Sequence, residues 1–131
     1  MSEKFVQVKE YLLEMEMPIV SEDPAEEIVI VEDEDKGIKN LIIDCEDSIL
    51  ILEQMIIPAP ANSGDLYRRL LQMNRNLVHG AFALDEEEKY ILFRDTLQLE
   101  NLDRNELEGT IDALGLAMAE YGSELLGYVE K

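Results

Sequence analysis

The sequence predicts an α+β domain with the element order α-β-β-β-α-β-β-α, an antiparallel sheet with flanking helices. Three observations lead there. Apolar residues recur at steps of three and four near both ends and in the middle of the chain. Between those segments lie runs rich in isoleucine, valine and leucine, which favour extended backbone. The runs are joined by short polar stretches, and short connections permit antiparallel but not parallel pairing.

The first helix rests on Phe5, Val8, Leu12 and Met15, with Lys4, Lys9, Glu10 and Glu14 between them. Ser2 can cap its start, and Pro18 disfavours helical geometry at Met17, which predicts the stop. "SEDPAEE" reads as a polar connection. Ile28 to Val31 is β-branched throughout, and "EDEDKG" is a charged turn in which Gly37 can take positive φ. "IKNLIIDCE" and "SILILEQMII" are two further strands, parted at Glu46–Asp47–Ser48, so a three-stranded meander is expected.

Both faces of that meander are apolar. By the period of two, Leu41, Ile43 and Cys45 share one face, and Ile42 sits on the other before Asp44 and Glu46. In the next strand Ile49, Ile51, Met55 and Ile57 oppose Leu50, Leu52 and Ile56. A sheet with one wet face alternates more cleanly, so part of the second face is expected to be covered by a helix or another subunit.

After the loop "PAPANSGD", Ser63 or Asp65 can cap a helix over "LYRRLLQMNRNLV". Its main stripe is Leu66, Leu70, Met73 and Leu77, and Tyr67, Leu71 and Val78 form a second. Gly80 supplies the helix exit. "AFALD" is a strand, "EEEK" a turn and "YILFRDTLQLE" a longer strand, with Ile91 and Phe93 facing one way and Tyr90, Leu92 and Arg94 the other. Asp103 with Glu106 three residues on has the capping-box spacing and opens the last helix. Its stripe is Leu107, Ile111, Leu114, Met118, Tyr121 and Leu125, beside a smooth strip of Gly115, Ala119 and Gly122. Glycine within a helix costs about 1 kcal/mol against alanine, which is tolerable where backbone packs closely, here against the sheet.

The 131 residues fit a single domain, 1–131. Thirty acids against eleven bases give a net charge of −19, so nucleic acid and anionic membrane surfaces are poor partners. One cysteine excludes an internal disulfide and suits a reducing compartment. The N-terminus lacks the pattern of a signal peptide, and no apolar stretch approaches the ~18 residues of a membrane span. Cytoplasm is the expected location.

The chemistry-bearing residues are sparse. His79 is the single histidine, and a metal site or catalytic triad wants more partners than one imidazole. Cys45 lies on an apolar strand face as an inert thiol. "DEDKG" fails as a calcium loop, because Gly37 is at the fifth place and Asp44, not glutamate, at the twelfth. "DEEEK" reads as a solvated hairpin tip. No phosphate-binding glycine motif is present. No catalytic, cofactor-binding or metal-binding residue is assigned, and no cofactor is expected.

The stretch from Leu70 to Leu114 nevertheless carries a joint pattern: Met73-Asn74 with Leu77, then Gly80, Phe82-Ala83-Leu84-Asp85, Ile91-Leu92-Phe93, and Leu102-Asp103 with Leu107. This resembles the YbjN-like family and the related Tir-type (CesT) secretion chaperones of bacteria, and the element order matches that fold over nearly the whole chain. The resemblance implies a non-enzymatic, type III secretion chaperone-like domain. It further implies a homodimer that holds an extended segment of a partner protein on apolar surface. A regulatory or small-ligand-binding module of YbjN type is the alternative. The expected dimer contacts are Leu66, Tyr67, Leu70, Leu71, Met73 and Leu77. The expected partner contacts are Phe5, Leu12, Val29 and Val31.

Overall fold

The computed structural model describes residues 2–62 and 64–129. Helix α1 (Glu3–Glu14) is followed by strands β1 (Ile19–Asp23), β2 (Ile28–Asp33), β3 (Ile38–Glu46) and β4 (Ile49–Pro58). Helix α2 (Leu66–Asn76), β5 (Ala81–Leu84), β6 (Tyr90–Gln98) and the long α3 (Arg104–Val129) complete the chain. The strands form one sheet in the order β1-β2-β3-β4-β6-β5, antiparallel at every pairing. The α+β class holds, with one strand more than the sequence predicts.

The added strand is β1, inside the stretch read as a polar connection. It is an edge strand in which only Ile19 is partly buried, and it carries a bulge between Ile19 and Ser21. Backbone pairing with β2 holds it, so its side chains give little hydrophobic pattern. The meander therefore has four strands. A second bulge, between Met55 and Ile57, breaks the period of two in β4. Ile57 consequently turns inward and is buried, against the expectation that it shares a face with Ile49 and Ile51.

All three helices lie on one face. Phe5, Val8 and Leu12 of α1 pack with Val29, Val31, Leu41, Ile43, Leu50, Leu52 and Phe93 of the sheet. Leu66, Leu70 and Met73 of α2 pack with Ile57, Phe82 and Ile91 in a second cluster. Helix α3 spans both, with Leu107, Ile111 and Leu114 in the first and Ala117, Tyr121 and Leu125 in the second.

The helix ends follow local chemistry. The Ser2 hydroxyl accepts from the Phe5 amide at 3.1 Å, as expected of a cap. Helix α1 ends before Pro18, however. Glu16 adopts φ 58°, its N–H reaches Leu13 O, and the Met17 N–H reaches Leu12 O at 2.9 Å. This is a Schellman closure, sealed by buried Met17 against Leu12. Ser63 lies outside the described residues, and Asp65 occupies the α2 cap position without a side-chain hydrogen bond. At α3, Asp103 accepts from the Glu106 amide at 2.9 Å.

Close neighbours surround Gly80 and Gly115. Gly80 has φ +73°, and a Cβ there would lie 2.4 Å from Phe93 Cζ. Gly115 sits against the turn over Glu34–Lys36, where a Cβ would lie 3.0 Å from Lys36 O. Its close neighbour is thus a turn rather than the sheet, and Gly122 has open space beside it.

Candidate protein-docking surface

With the helices on one side, no helix of the described residues covers the other side of the sheet. Register fixes what stands there. In one row Ser21, Ile30, Ile42, Glu53, Arg94 and Ala81 are cross-strand neighbours. In the next row Asp23, Ile28, Asp44, Ile51 and Thr96 follow one another. Met55 pairs with Leu92, and Leu92 with Ala83. Ile42 is 41 % and Met55 55 % exposed, whereas Ile28, Ile30 and Ile51 are half-buried. The result is an aliphatic surface set with carboxylates.

Those carboxylates differ in their company. Glu53 forms an ion pair with Arg94 on the same face. Asp44 is bracketed across the strands by Ile28 and Ile51. Among the described residues no lysine or arginine pairs with Asp44, Glu46 or Glu26. Burial, followed by the charge of Glu46, a hydrogen bond to it and the charge of Glu26, pushes the Asp44 carboxyl above its usual range.

A second exposed apolar set runs along α2. Tyr67 is 40 %, Leu71 73 % and Val78, just beyond the helix, 84 % exposed. The helix also carries Arg68, Arg69 and Arg75 on an otherwise acidic molecule. Arg69 is committed, forking onto Glu124 of α3 at 2.6 and 3.0 Å while lying over the Tyr121 ring.

Several expected contacts lie elsewhere than predicted. Leu66, Leu70 and Met73 are core residues, because the main stripe of α2 seals the second cluster, and Leu77 is half-buried between the two clusters. Of the six expected dimer contacts, only Tyr67 and Leu71 are left outside. Phe5, Leu12, Val29 and Val31 are fully buried beneath the helices and offer no surface to a partner in this fold. Val29 pairs with Ile43 and Val31 with Leu41 on the inner face, leaving Ile28 and Ile30 outside. The acids in the next strand are the signal that tells the faces apart, since Asp44 and Glu46 alternate with Leu41, Ile43 and Cys45.

Two shallow grooves flank exposed Leu116 on α3. One, of about 590 Å³, is lined by Lys36, Gly37, Gly115, Met118 and Ala119. The other, of about 560 Å³, is lined by Leu77, Val78, His79, Gly109 and Ala113. His79 lies over Gly109, where a Cβ would approach its Nε2 to 3.2 Å. No cluster of three or more metal-ligating side chains occurs among the described residues, nor a helix long and apolar enough to cross a membrane. Cys45 is buried, and burial foremost, aided by Glu27 and Asp44, pushes its thiol up to about 12.

Asn74 of the middle motif also gains a physical role. Asn74 clamps α2 to β5, its Oδ1 accepting the Phe82 N–H at 2.7 Å and its Nδ2 donating to Phe82 O at 3.1 Å. Over residues 1–131 the sequence matches the CesT_Tir_1 family. The chain belongs to that family. Among curated proteins none matches its sequence. Solved structures share the fold at low identity. YbjN from E. coli superposes with a TM-score of 0.69 at 12 % identity, covering 91 % of both chains. The HopA1–SchA chaperone–effector complex gives 0.65 at 18 %, covering 91 % of this chain and 94 % of the other. The Yersinia pestis type III secretion chaperone SycH, solved with a fragment of YscM2, gives 0.57 at 13 %, covering 88 % and 98 %. The chain's family and fold are thus those the sequence pattern implied, a fold also found in YbjN and in secretion chaperones.

Proposed function

We propose that this protein is a non-enzymatic, cytoplasmic, chaperone-like homodimer that holds a segment of a partner protein on the open face of its sheet. The observation that carries this reading is the exposed aliphatic surface around Ile30, Ile42, Ile51 and Met55, which the chain's own helices do not cover. Exposed apolar surface of this kind marks interaction sites. Two structural neighbours are chaperones solved together with another protein, which supports the same reading. Binding would be physical: apolar side chains leave water, and surrounding charge maintains solubility.

Self-association is assigned to the outer stripe of α2, through Tyr67 and Leu71. Light scattering should give twice the chain mass at micromolar concentration, and Tyr67→Asp with Leu71→Asp should return the single mass. A wild-type monomer would remove the dimer from the proposal. For the partner, affinity capture from the native cell should yield one stoichiometric protein with the wild type and lose it with Ile42→Thr/Ile51→Thr. Equal recovery by both would move the docking site off the sheet.

A second reading, a small-ligand or regulatory module, is favoured by the groove of about 590 Å³ beside Gly115. It predicts a thermal shift with a metabolite that Gly115→Leu abolishes.

A further inference from the structure

The partner's chemistry is written on the open face. Asp44 stands in a row between Ile28 and Ile51, and Ile30 and Ile42 fill the row beside it. Glu46 follows on the same face of β3, and Glu26 approaches from the turn before β2. Of the other carboxylates in this area, Glu53 already has Arg94, and Asp23 accepts the Glu26 N–H. The three remaining acids have no basic partner among the described residues.

We infer, resting on the docking role proposed above, that the partner segment is cationic: a lysine or arginine settles on Asp44 and Glu46 while apolar neighbours cover Ile28, Ile30, Ile42 and Ile51. Charge decides between occupants. A second copy of this chain brings another −19 and its own acids to the face, and like charges brought together there oppose docking. An acidic or phosphorylated segment meets the same repulsion. A hydrated metal ion would satisfy the carboxylates but leave four isoleucines uncovered. A cation flanked by apolar side chains satisfies both parts. The crowding of Asp44 by burial and by Glu46 and Glu26 works in the same direction, because an arriving cation relieves it.

Spacing sets the probe. Adjacent strands lie roughly 4.8 Å apart, so Ile28 and Ile51 flank Asp44 at about that step on either side. Neighbours at i and i+4 on a helix lie about 5–6 Å apart. A synthetic amphipathic peptide of about 18 residues with one central lysine and leucines four residues before and after presents this pattern. Two companions replace the lysine by glutamine or glutamate.

Fluorescence titration in 0.15 M salt should show the lysine peptide binding at least ten times more tightly than the glutamine peptide, with no saturable binding of the glutamate peptide. In Asp44→Asn/Glu46→Gln the lysine advantage should fall to within about twofold, while the glutamine peptide binds as before. Equal binding of lysine and glutamine peptides to the wild type would overturn the cationic assignment and leave the docking face standing. A lysine advantage that persists in the double variant would also overturn it, placing the attraction in the overall charge. If none of the three peptides saturates, the docking role of the face fails with it.

Discussion

The two faces of the sheet are built from the same residues and end in different circumstances. Val29, Val31, Leu41, Ile43, Leu50 and Leu52 face the helices and are lost to solvent. Ile28, Ile30, Ile42 and Ile51 alternate with them on the same strands, among Asp44, Glu53 and Thr96, with no helix of the described residues over them. The inner face is a core, whose hydrophobic gain goes into folding. The outer face retains unburied apolar surface, which is available to a second molecule. Polar residues mark the difference. Inside, Gln54 is fully used, accepting from Lys39 N at 3.0 Å and donating to Gly37 O at 3.2 Å. Outside, Asp44 and Glu46 stand among isoleucines without a cation. The inner face is covered by the chain's own helices, and the outer face is not.

Substitution should separate the faces most sharply at matched depth in the sheet. Phe93→Ala empties a fully buried site that contacts Phe82 edge-on and supports the Gly80 turn. It should cost about 3–5 kcal/mol in urea unfolding. On the other face Ile42→Thr retains the β-branched shape and loses only cross-strand apolar contact. Its cost should stay below about 1 kcal/mol. A cost for Ile42→Thr as large as that for Phe93→Ala would mean that the outer face is a second core.

Cys45 reports on the inner face without any substitution. With its thiol pushed up to about 12, it is almost wholly protonated at pH 8. Iodoacetamide should therefore modify it about a hundredfold or more slowly in the folded protein than in urea. Comparable rates would show that the sheet opens readily at this end.

Asn74 ties the helix layer to the sheet edge. Asn74→Ala removes both partners of the Phe82 backbone, and leaving such groups unmet costs about 1–3 kcal/mol. Asn74→Asp is the sharper control, since it retains the acceptor for the Phe82 N–H and loses the donor. It should fall between the wild type and Asn74→Ala in midpoint denaturant concentration.

Legibility in the sequence followed how strongly side chains report their surroundings. The three helices were readable because amphipathic spacing and caps at Ser2 and Asp103 agree. The last five strands were readable because apolar runs and short turns coincide. Strand β1 was not, since an edge strand held by backbone bonds needs no hydrophobic pattern. The inward turn of Ile57 depends on a bulge, a backbone event that leaves no residue-type mark here. The surplus of apolar surface was legible as a total, and the outer stripe of Tyr67 and Leu71 with it. Its distribution was not. Phe5, Leu12, Val29 and Val31 look the same in sequence whether a helix or a partner covers them, and only the three-dimensional packing decides.

The smallest expected effect tests the outer face most directly. In the folded state Asp44 has a raised carboxyl pKa, through burial first and then through Glu46 and Glu26. A carboxyl raised on folding favours the folded state while protonated. That contribution is present below the unfolded value of about 3.9 and is lost as pH rises through the folded value. At neutral pH the ionised group is thus held at a cost to the fold, and Asp44→Asn should relieve it. The variant should be more stable than the wild type at pH 7, by less than about 1 kcal/mol on the scale of cross-strand pairs. The advantage should shrink as pH falls to about 3, where both forms are neutral at this position. Exposed Glu100 provides the control, because Glu100→Gln changes the net charge equally without touching the sheet. An equal gain from Glu100→Gln would assign the effect to the charge of −19 as a whole. A gain confined to Asp44→Asn, and lost on acidification, would locate it among the isoleucines of the open face.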